Sequence, residues 1–151
     1  FSLAMVCPPY PVLACAVVLL TTCFATCSYN PITPFIVPRE YVGPLWSVQG
    51  FSSCATLLFV GRYTDKVGAL KVIWVGLVVQ SVTLLLTLVR TIPAQFASRV
   101  AQGIAASAAF NACAACIMER YGEPQRTTYV GTVIGIGLLG LVWGGPVAGA
   151  A

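Results

Sequence analysis

One stretch of this chain places a charged side chain among amide and small residues at helical spacing: RVAQGIAAS, residues 99–107. Four of its residues recur at positions i, i+3, i+4 and i+7 and so share one helix face: Arg99, Gln102, Gly103 and Ala106. A base within an apolar segment is costly and usually faces a cavity or a partner. The pattern therefore suggests that Arg99 faces a cavity or a partner helix rather than lipid. The alternative is an arginine that reaches the membrane interface beside a packing face.

The most polar run of the chain is GRYTDKVGALK, residues 61–71, which lies between two apolar segments. We expect Gly61 to permit close helix approach and Gly68 to adopt a left-handed backbone at a tight reversal. Asp65 can bind a base or the positive N-terminal end of another helix. The alternative is an ordinary basic loop, with Lys66 and Lys71, that holds one incidental acid.

A third stretch, GIGLLGLVWGGPVAGAA at residues 135–151, surrounds Pro146 with glycines. Proline removes a helical hydrogen bond and kinks a helix, while glycines allow close contact between helices. From these residues alone we expect a flexible, tightly packed helix.

The sequence gives little support to enzymatic, metal or redox chemistry. It contains no histidine, and we find no nucleophile beside a base, so we expect no catalytic residue, no metal site and no cofactor. Cys113 and Cys116 have the C-x-x-C spacing of redox or zinc sites, but they lie in an Ala-rich apolar run. We expect the seven cysteines to be small, buried and inert.

The composition is that of a membrane protein. Hydrophobic residues make up 58% of the chain and charged residues 8%, whereas a soluble domain has about a quarter of its residues charged. The bases are scattered between apolar segments rather than clustered in a stripe, which argues against nucleic acid as a partner.

The elements that position these residues are predicted to be membrane-spanning helices. A bilayer core requires roughly 20 apolar residues per helix, and continuous apolar runs favour helices over barrel strands. Five segments within one bundle qualify, at about residues 11–37, 44–60, 70–89, 93–118 and 127–151. Because the chain starts and stops in apolar sequence, we expect it to be a fragment of a longer protein.

The distribution of bases predicts the orientation of these helices. The second and fourth loops are rich in bases, namely Arg62, Lys66, Lys71, Arg120 and Arg126, whereas the first and third hold only Arg39 and Arg90. The excess of Lys and Arg in cytoplasmic loops places the second and fourth loops, and with them the N-terminus, in the cytoplasm.

The spacing of Gly61, Asp65, Lys66, Gly68 and Lys71 resembles the signature loop of the major facilitator superfamily, G-x-x-x-D-[RK]-x-G-x-[RK]-[RK], between the second and third helices. The resemblance implies that Asp65 is a gating acid with Lys66 as its basic companion. It also implies that the loop packs against a C-terminal half that this chain lacks.

The run from Arg99 resembles the fourth-helix motif of the same superfamily, R-x-x-Q-G-x-x-A-A. In proton-coupled members that arginine is associated with coupling or with the central cavity. The implied cavity residues are Asn30, Gln49, Arg99 and Gln102, with Gly103 beside them.

Three further patterns resemble the drug:proton antiporter and vesicular amine transporter branch. Gly145, Pro146 and Gly149 match part of the antiporter motif G-x8-G-x3-G-P-x-x-G-G. The Asn30–Pro34 stretch resembles the P-x-x-P end of the first helix, and Arg126 followed by Gly131 resembles the opening of the fifth. Thr22 stands where vesicular monoamine transporters carry an acid, which argues against a cationic amine held by that route.

The resemblance implies an all-α, polytopic membrane bundle, comprising the first five helices of a six-helix N-terminal half. It implies alternating-access transport of a small organic solute by proton antiport, in efflux or vesicular uptake, with the proton gradient as the driving force. The lipid bilayer, the substrate and the C-terminal half would be the partners. Two alternatives stay open: a uniporter or symporter of the same fold, and a membrane scaffold or receptor that no longer transports.

Overall fold

The structure, a computed structural model, describes residues 10–149, with the surroundings of side chains as far as Gly144. It is all-helical over that range, with no strand among the described residues. In chain order the helices are α1 (Tyr10–Ser28), α2 (Thr33–Ile36), α3 (Arg39–Val67), α4 (Ala69–Leu86), α5 (Ile92–Arg120) and α6 (Gln125–Gly149). The prediction of an all-α helical bundle is therefore confirmed.

The first predicted helix, residues 11–37, is divided in two. Helix α1 ends at Ser28, and the one-turn helix α2 follows a turn in which the N–H of Asn30 donates to the carbonyl of Cys27 at 3.1 Å. The physical reason lies in Pro31 and Pro34, which have no backbone N–H and so cannot continue the helical hydrogen bonds. The break turns the side chains of Tyr29 and Thr33 into the bundle interior, where both are buried.

The second predicted helix, residues 44–60, is longer at both ends. Helix α3 has 29 residues and includes Pro44 near its start and the polar run to Val67 at its end. It stops at Gly68, whose φ of +93° is open to glycine but strained for other residues. Helix α4 then starts at once with Ala69, so the predicted loop at 61–71 is mostly the last turns of α3.

Within the described part of the chain, four helices are long and apolar enough to cross a membrane: α1, α4, α5 and, over Gln125–Gly144, α6. Helix α3 is about 43 Å long at 1.5 Å per residue, which also suffices to cross. It is less apolar because it carries Gln49, Ser52 and Ser53, which face α5. Many large apolar side chains point outward, such as Phe51 and Leu58 at 76% exposure each, as expected where lipid is the solvent.

Helix α5 is the centre of the bundle and packs on α3 and α4, while α1 packs mainly on α6. One end of this bundle is apolar, because the C-terminal half of α5 contributes small buried residues to a core shared with α1 and α4. These α5 residues are Ala109, Ala112, Cys113, Cys116 and Ile117. The N-terminal half of α5 is different: its buried residues are mostly polar, and they form the candidate site.

Candidate functional site

Arg99 lies in the second turn of α5 and is fully buried, with 0% of its surface exposed. It is about 10 Å along the helix axis from Ile92, at 1.5 Å per residue. The side chain therefore does not extend to the nearby end of the helix. Its guanidinium is turned into the bundle, which contradicts the alternative of an arginine that reaches the interface.

The guanidinium binds three neutral side chains from three segments. Its Nη1 donates to Gln49 Oε1 on α3 at 2.9 Å and, more weakly, to Gln102 Oε1 on α5 at 3.4 Å. Its Nη2 donates to Thr33 Oγ1 at the start of α2 at 2.9 Å. The Arg99 Cζ also lies 4.6 Å from the centroid of the Tyr29 ring, within the range of a cation–π contact. We call these residues, Tyr29, Thr33, Gln49, Arg99 and Gln102, the Arg99 cluster.

A second layer of hydrogen bonds holds the Arg99 cluster in place. Tyr29 donates its hydroxyl to Gln95 Oε1 at 2.6 Å, and the Gln95 amide donates to the carbonyls of Thr87 and Val89 at 2.9 and 2.8 Å. The turn between α4 and α5 is thereby connected to the break after α1. Since buried polar groups that are fully paired favour one arrangement, this layer orients the ring beneath Arg99.

The Arg99 cluster holds one formal charge and no carboxylate. All four acids of the chain are exposed and lie elsewhere: Glu40, Asp65, Glu119 and Glu123. The Nε of Arg99 is buried and has no hydrogen-bond partner among the described residues. A buried charge is expensive unless it is paired, so the neutral oxygens around Arg99 satisfy its geometry only in part.

Gly103 brings α3 and α5 into close contact next to the Arg99 cluster. A Cβ at Gly103 would lie 2.5 Å from the carbonyl oxygen of Gln49 and would also collide with the Ser52 hydroxyl. Ser53 donates to the Gly103 carbonyl at 3.0 Å, and Ser107 donates to the Ser53 carbonyl at 3.1 Å. Small residues and hydroxyl bonds of this kind are typical of helix contacts in membranes.

A second close contact joins α6 to α1 through glycines. A Cβ at Gly140 would lie 2.5 Å from the carbonyl oxygen of Leu20, and one at Gly144 would lie 2.8 Å from that of Phe24. Gly137 is next on the same face, 3.0 Å from Leu19 Cβ by the same measure. The backbones of these two helices therefore touch, which only glycine permits at these positions.

Comparison with protein families matches residues 13–151 to the Major Facilitator Superfamily. The chain belongs to this superfamily. Comparisons with curated proteins and with solved structures gave no significant match. The superfamily is one of membrane transporters rather than enzymes, and the chain is accordingly a multi-pass membrane protein of a transporter family.

In this Major Facilitator Superfamily chain, the structure brings together three of the four predicted cavity residues, Arg99, Gln102 and Gln49. Gly103 lies beside them, as predicted. Asn30 is half-buried in the turn after α1 and is not a hydrogen-bond partner of Arg99. Its Oδ1 is buried without a partner among the described residues.

Sequence reasoning missed Tyr29, Thr33 and Gln95. Tyr29 and Thr33 immediately flank the Asn30–Pro31 break, so the two prolines were an available signal that nearby side chains turn inward. Gln95 lies four residues before Arg99, on the same helix face, and that spacing could have identified it.

The superfamily signature at residues 61–71 is placed at the α3–α4 junction, with Asp65, Lys66 and Lys71 all exposed. Gly68 has the positive φ that the sequence predicted. The expected helix contact at Gly61 is wrong for the described residues, because a Cβ there would meet open space. Val60 and Thr64 are buried at the same level of α3, so Gly61 lies on the exposed face of the helix.

The antiporter-like motif residues Gly145, Pro146 and Gly149 lie on α6, but the surroundings of their side chains are outside the described residues. The glycines before them are described. Gly140 and Gly144 pack on α1, while Gly131 and Gly135 face open space.

Proposed function

We propose that this superfamily member moves small organic solutes across a membrane by alternating access, in exchange for protons. The observation that carries the proposal is the Arg99 cluster, a fully buried guanidinium that is joined through neutral partners to α3 and to the break after α1. Because no opposite charge fixes it, Arg99 can exchange these partners when helices shift. Such a group suits a site that must open alternately to two sides.

Proton exchange, and with it the drug:proton antiporter and vesicular amine branch, is supported by the glycine pattern of α6. Gly140 and Gly144 hold α6 against α1, and Gly145, Pro146 and Gly149 extend the same pattern in sequence. A proline at the end of such a contact provides a point at which the helix can bend. The proton gradient would supply the driving force, without a bound cofactor.

The gate in this proposal is the α3–α4 junction. Asp65 and Lys66 are exposed there, so they are available to a second helical bundle of the same protein, where Asp65 would bind a base or a helix N-terminus. With the bases of the second and fourth loops in the cytoplasm, the N-terminus is cytoplasmic and this gate closes the inner side. The Arg99 cluster then lies toward the outer side.

The test is flux through the full-length protein in proteoliposomes, measured for a panel of labelled organic solutes with and without a pH gradient. Uptake that rises with an opposing proton gradient, and falls when a proton ionophore removes it, supports antiport. Uptake that ignores the gradient would indicate a uniporter, and uptake in the direction of proton flow a symporter. If folded protein moves no compound, the scaffold or receptor alternative replaces transport.

A further inference from the structure

The charge balance of the Arg99 cluster indicates which class of solute the site accepts. Arg99 is fully buried, whereas the four acids of the chain are all exposed, and none of them is a hydrogen-bond partner of Arg99. Helix α1 offers no acid either; its buried Thr22 has a hydroxyl without a partner. The described site is therefore a cationic one.

The hydrogen bonds of the guanidinium leave part of its donor capacity unused. Arginine has five N–H donors arranged in a planar fork, and the fork edge made by Nε and Nη2 matches the two oxygens of a carboxylate. Among the residues that the structure describes, Nε has no partner on that edge, and Nη2 binds only the hydroxyl of Thr33. A carboxylate would supply a second acceptor oxygen and the missing negative charge.

The residues around the guanidinium differ in their exposure. Gln49 and Asn30 are partly exposed, whereas Thr33 and Gln102 are buried. Gln49 accepts from Arg99 Nη1 through a neutral amide oxygen at 2.9 Å, and a rotamer change of this side chain would free Nη1 for a charged acceptor as well. The neutral amide oxygen of Gln49 thus occupies a position beside Arg99 Nη1 that an anionic oxygen could take.

We propose that the solute recognised by this chain is an organic anion, of which a carboxylate is the simplest class, with Arg99 as its counter-ion. The proposal rests on the transport function proposed above and adds the substrate class. It also explains why an acid is dispensable at Thr22, since an acid there would serve a cationic solute. A cationic solute would be repelled by Arg99, and a neutral one would leave the buried charge unpaired.

Matched probes test the substrate class in proteoliposomes of the full-length protein. The probes are labelled benzoate and 4-phenylbutyrate, each with its neutral amide and with the amine of the same carbon skeleton. We expect uptake of the carboxylates to exceed that of the amides by about tenfold or more, as charge-assisted pairing requires. Uptake of amines in preference to carboxylates would overturn the anion proposal and leave transport intact. Absence of flux for all three classes would refute the proposed transport instead.

A binding experiment in detergent decides the anion site even when no flux is seen. The substitution Gln49→Glu puts a carboxylate within reach of Arg99 Nη1, so the free protein should unfold at a higher temperature and lose any stabilisation by benzoate. The control is Gln80→Glu on α4, a more deeply buried amide that donates to Thr26 and has no cation beside it among the described residues; it should unfold at a lower temperature. Benzoate that stabilises wild type and Gln49→Glu alike, or neither, would overturn the proposal.

Discussion

Gly140 lies where α6 meets α1 most closely, and its replacement by alanine tests how tightly these two helices are held. The added Cβ would be 2.5 Å from the Leu20 carbonyl oxygen, 2.9 Å from the Phe24 nitrogen and 3.0 Å from Cys23 Cβ. Two of these atoms belong to the backbone, so no rotamer change relieves the contact. To restore an ordinary contact of about 3.5 Å, the helices must separate by about 1 Å.

The expected cost of Gly140→Ala follows from that separation. Inserting a methyl group into a well-packed contact costs about 1–3 kcal/mol, less the gain of up to about 1 kcal/mol for alanine over glycine within a helix. When the full helix gain is subtracted, the net loss in the free energy of unfolding is up to about 2 kcal/mol. No other residue of α6 changes, so no other contribution is expected. The assay is thermal or denaturant unfolding in detergent.

Gly135→Ala is the matched control, since it lies in the same helix and its Cβ would meet open space. It should gain the helix preference of alanine, up to about 1 kcal/mol, without the contact. The measured difference between the two variants isolates the α1–α6 contact. If Gly140→Ala proved as stable as Gly135→Ala, the close approach of α6 to α1 would be refuted.

Three further predictions concern the gate and the Arg99 cluster. Gly68→Ala should lower the free energy of unfolding by about 1–3 kcal/mol, because alanine is strained at φ +93°. Gly61→Ala is the control and should be neutral or stabilising in the same unfolding assay. Equal effects of the two substitutions would contradict this description of the α3–α4 junction. Arg99→Ala should abolish transport while the protein is expressed normally. Arg99→Lys should also be inactive, because an ammonium lacks the planar fork that binds Gln49 and Thr33 together. Unchanged flux in these variants would disprove a role of Arg99 in transport. Tyr29→Phe should lower stability by about 1–3 kcal/mol by leaving the buried Gln95 oxygen unpaired, and no loss on unfolding would show that this bond contributes nothing.

The sequence predicted the helical class of the chain because membrane helices depend on local composition, which is visible in any window of about 20 residues. It was less successful at the helix ends. The apolar run continues through Pro31 and Pro34, so hydropathy alone extended the first helix to residue 37. At Gly61–Val67 the opposite error arose, because polar residues were interpreted as a loop although nothing there breaks a helix before Gly68.

The candidate site shows the same division between local and distant information. Arg99 and Gln102 share a helix face by their spacing, so their proximity could be predicted from the sequence. The contacts of Arg99 with Thr33 and Gln49 join residues 66 and 50 positions apart. Such contacts depend on which helices pack together and at what height, and no periodicity within one helix contains that information.

The two halves of α5 differ in a way that bears on where this bundle can rearrange. Toward its C-terminus, α5 packs through Ala109, Ala112 and Cys113 into an apolar core with α1 and α4, and tightly packed cores resist small displacements. Toward its N-terminus, it is held by the hydrogen bonds of Arg99 to neutral oxygens, which can be exchanged for other acceptors at little cost. The structural changes that accompany solute binding and alternating access should therefore be concentrated at the Arg99 end of α5. Since that end also contains the break between α1 and α2, a shift of residues 29–33 would change the partners of Arg99 directly, without first disturbing the apolar core.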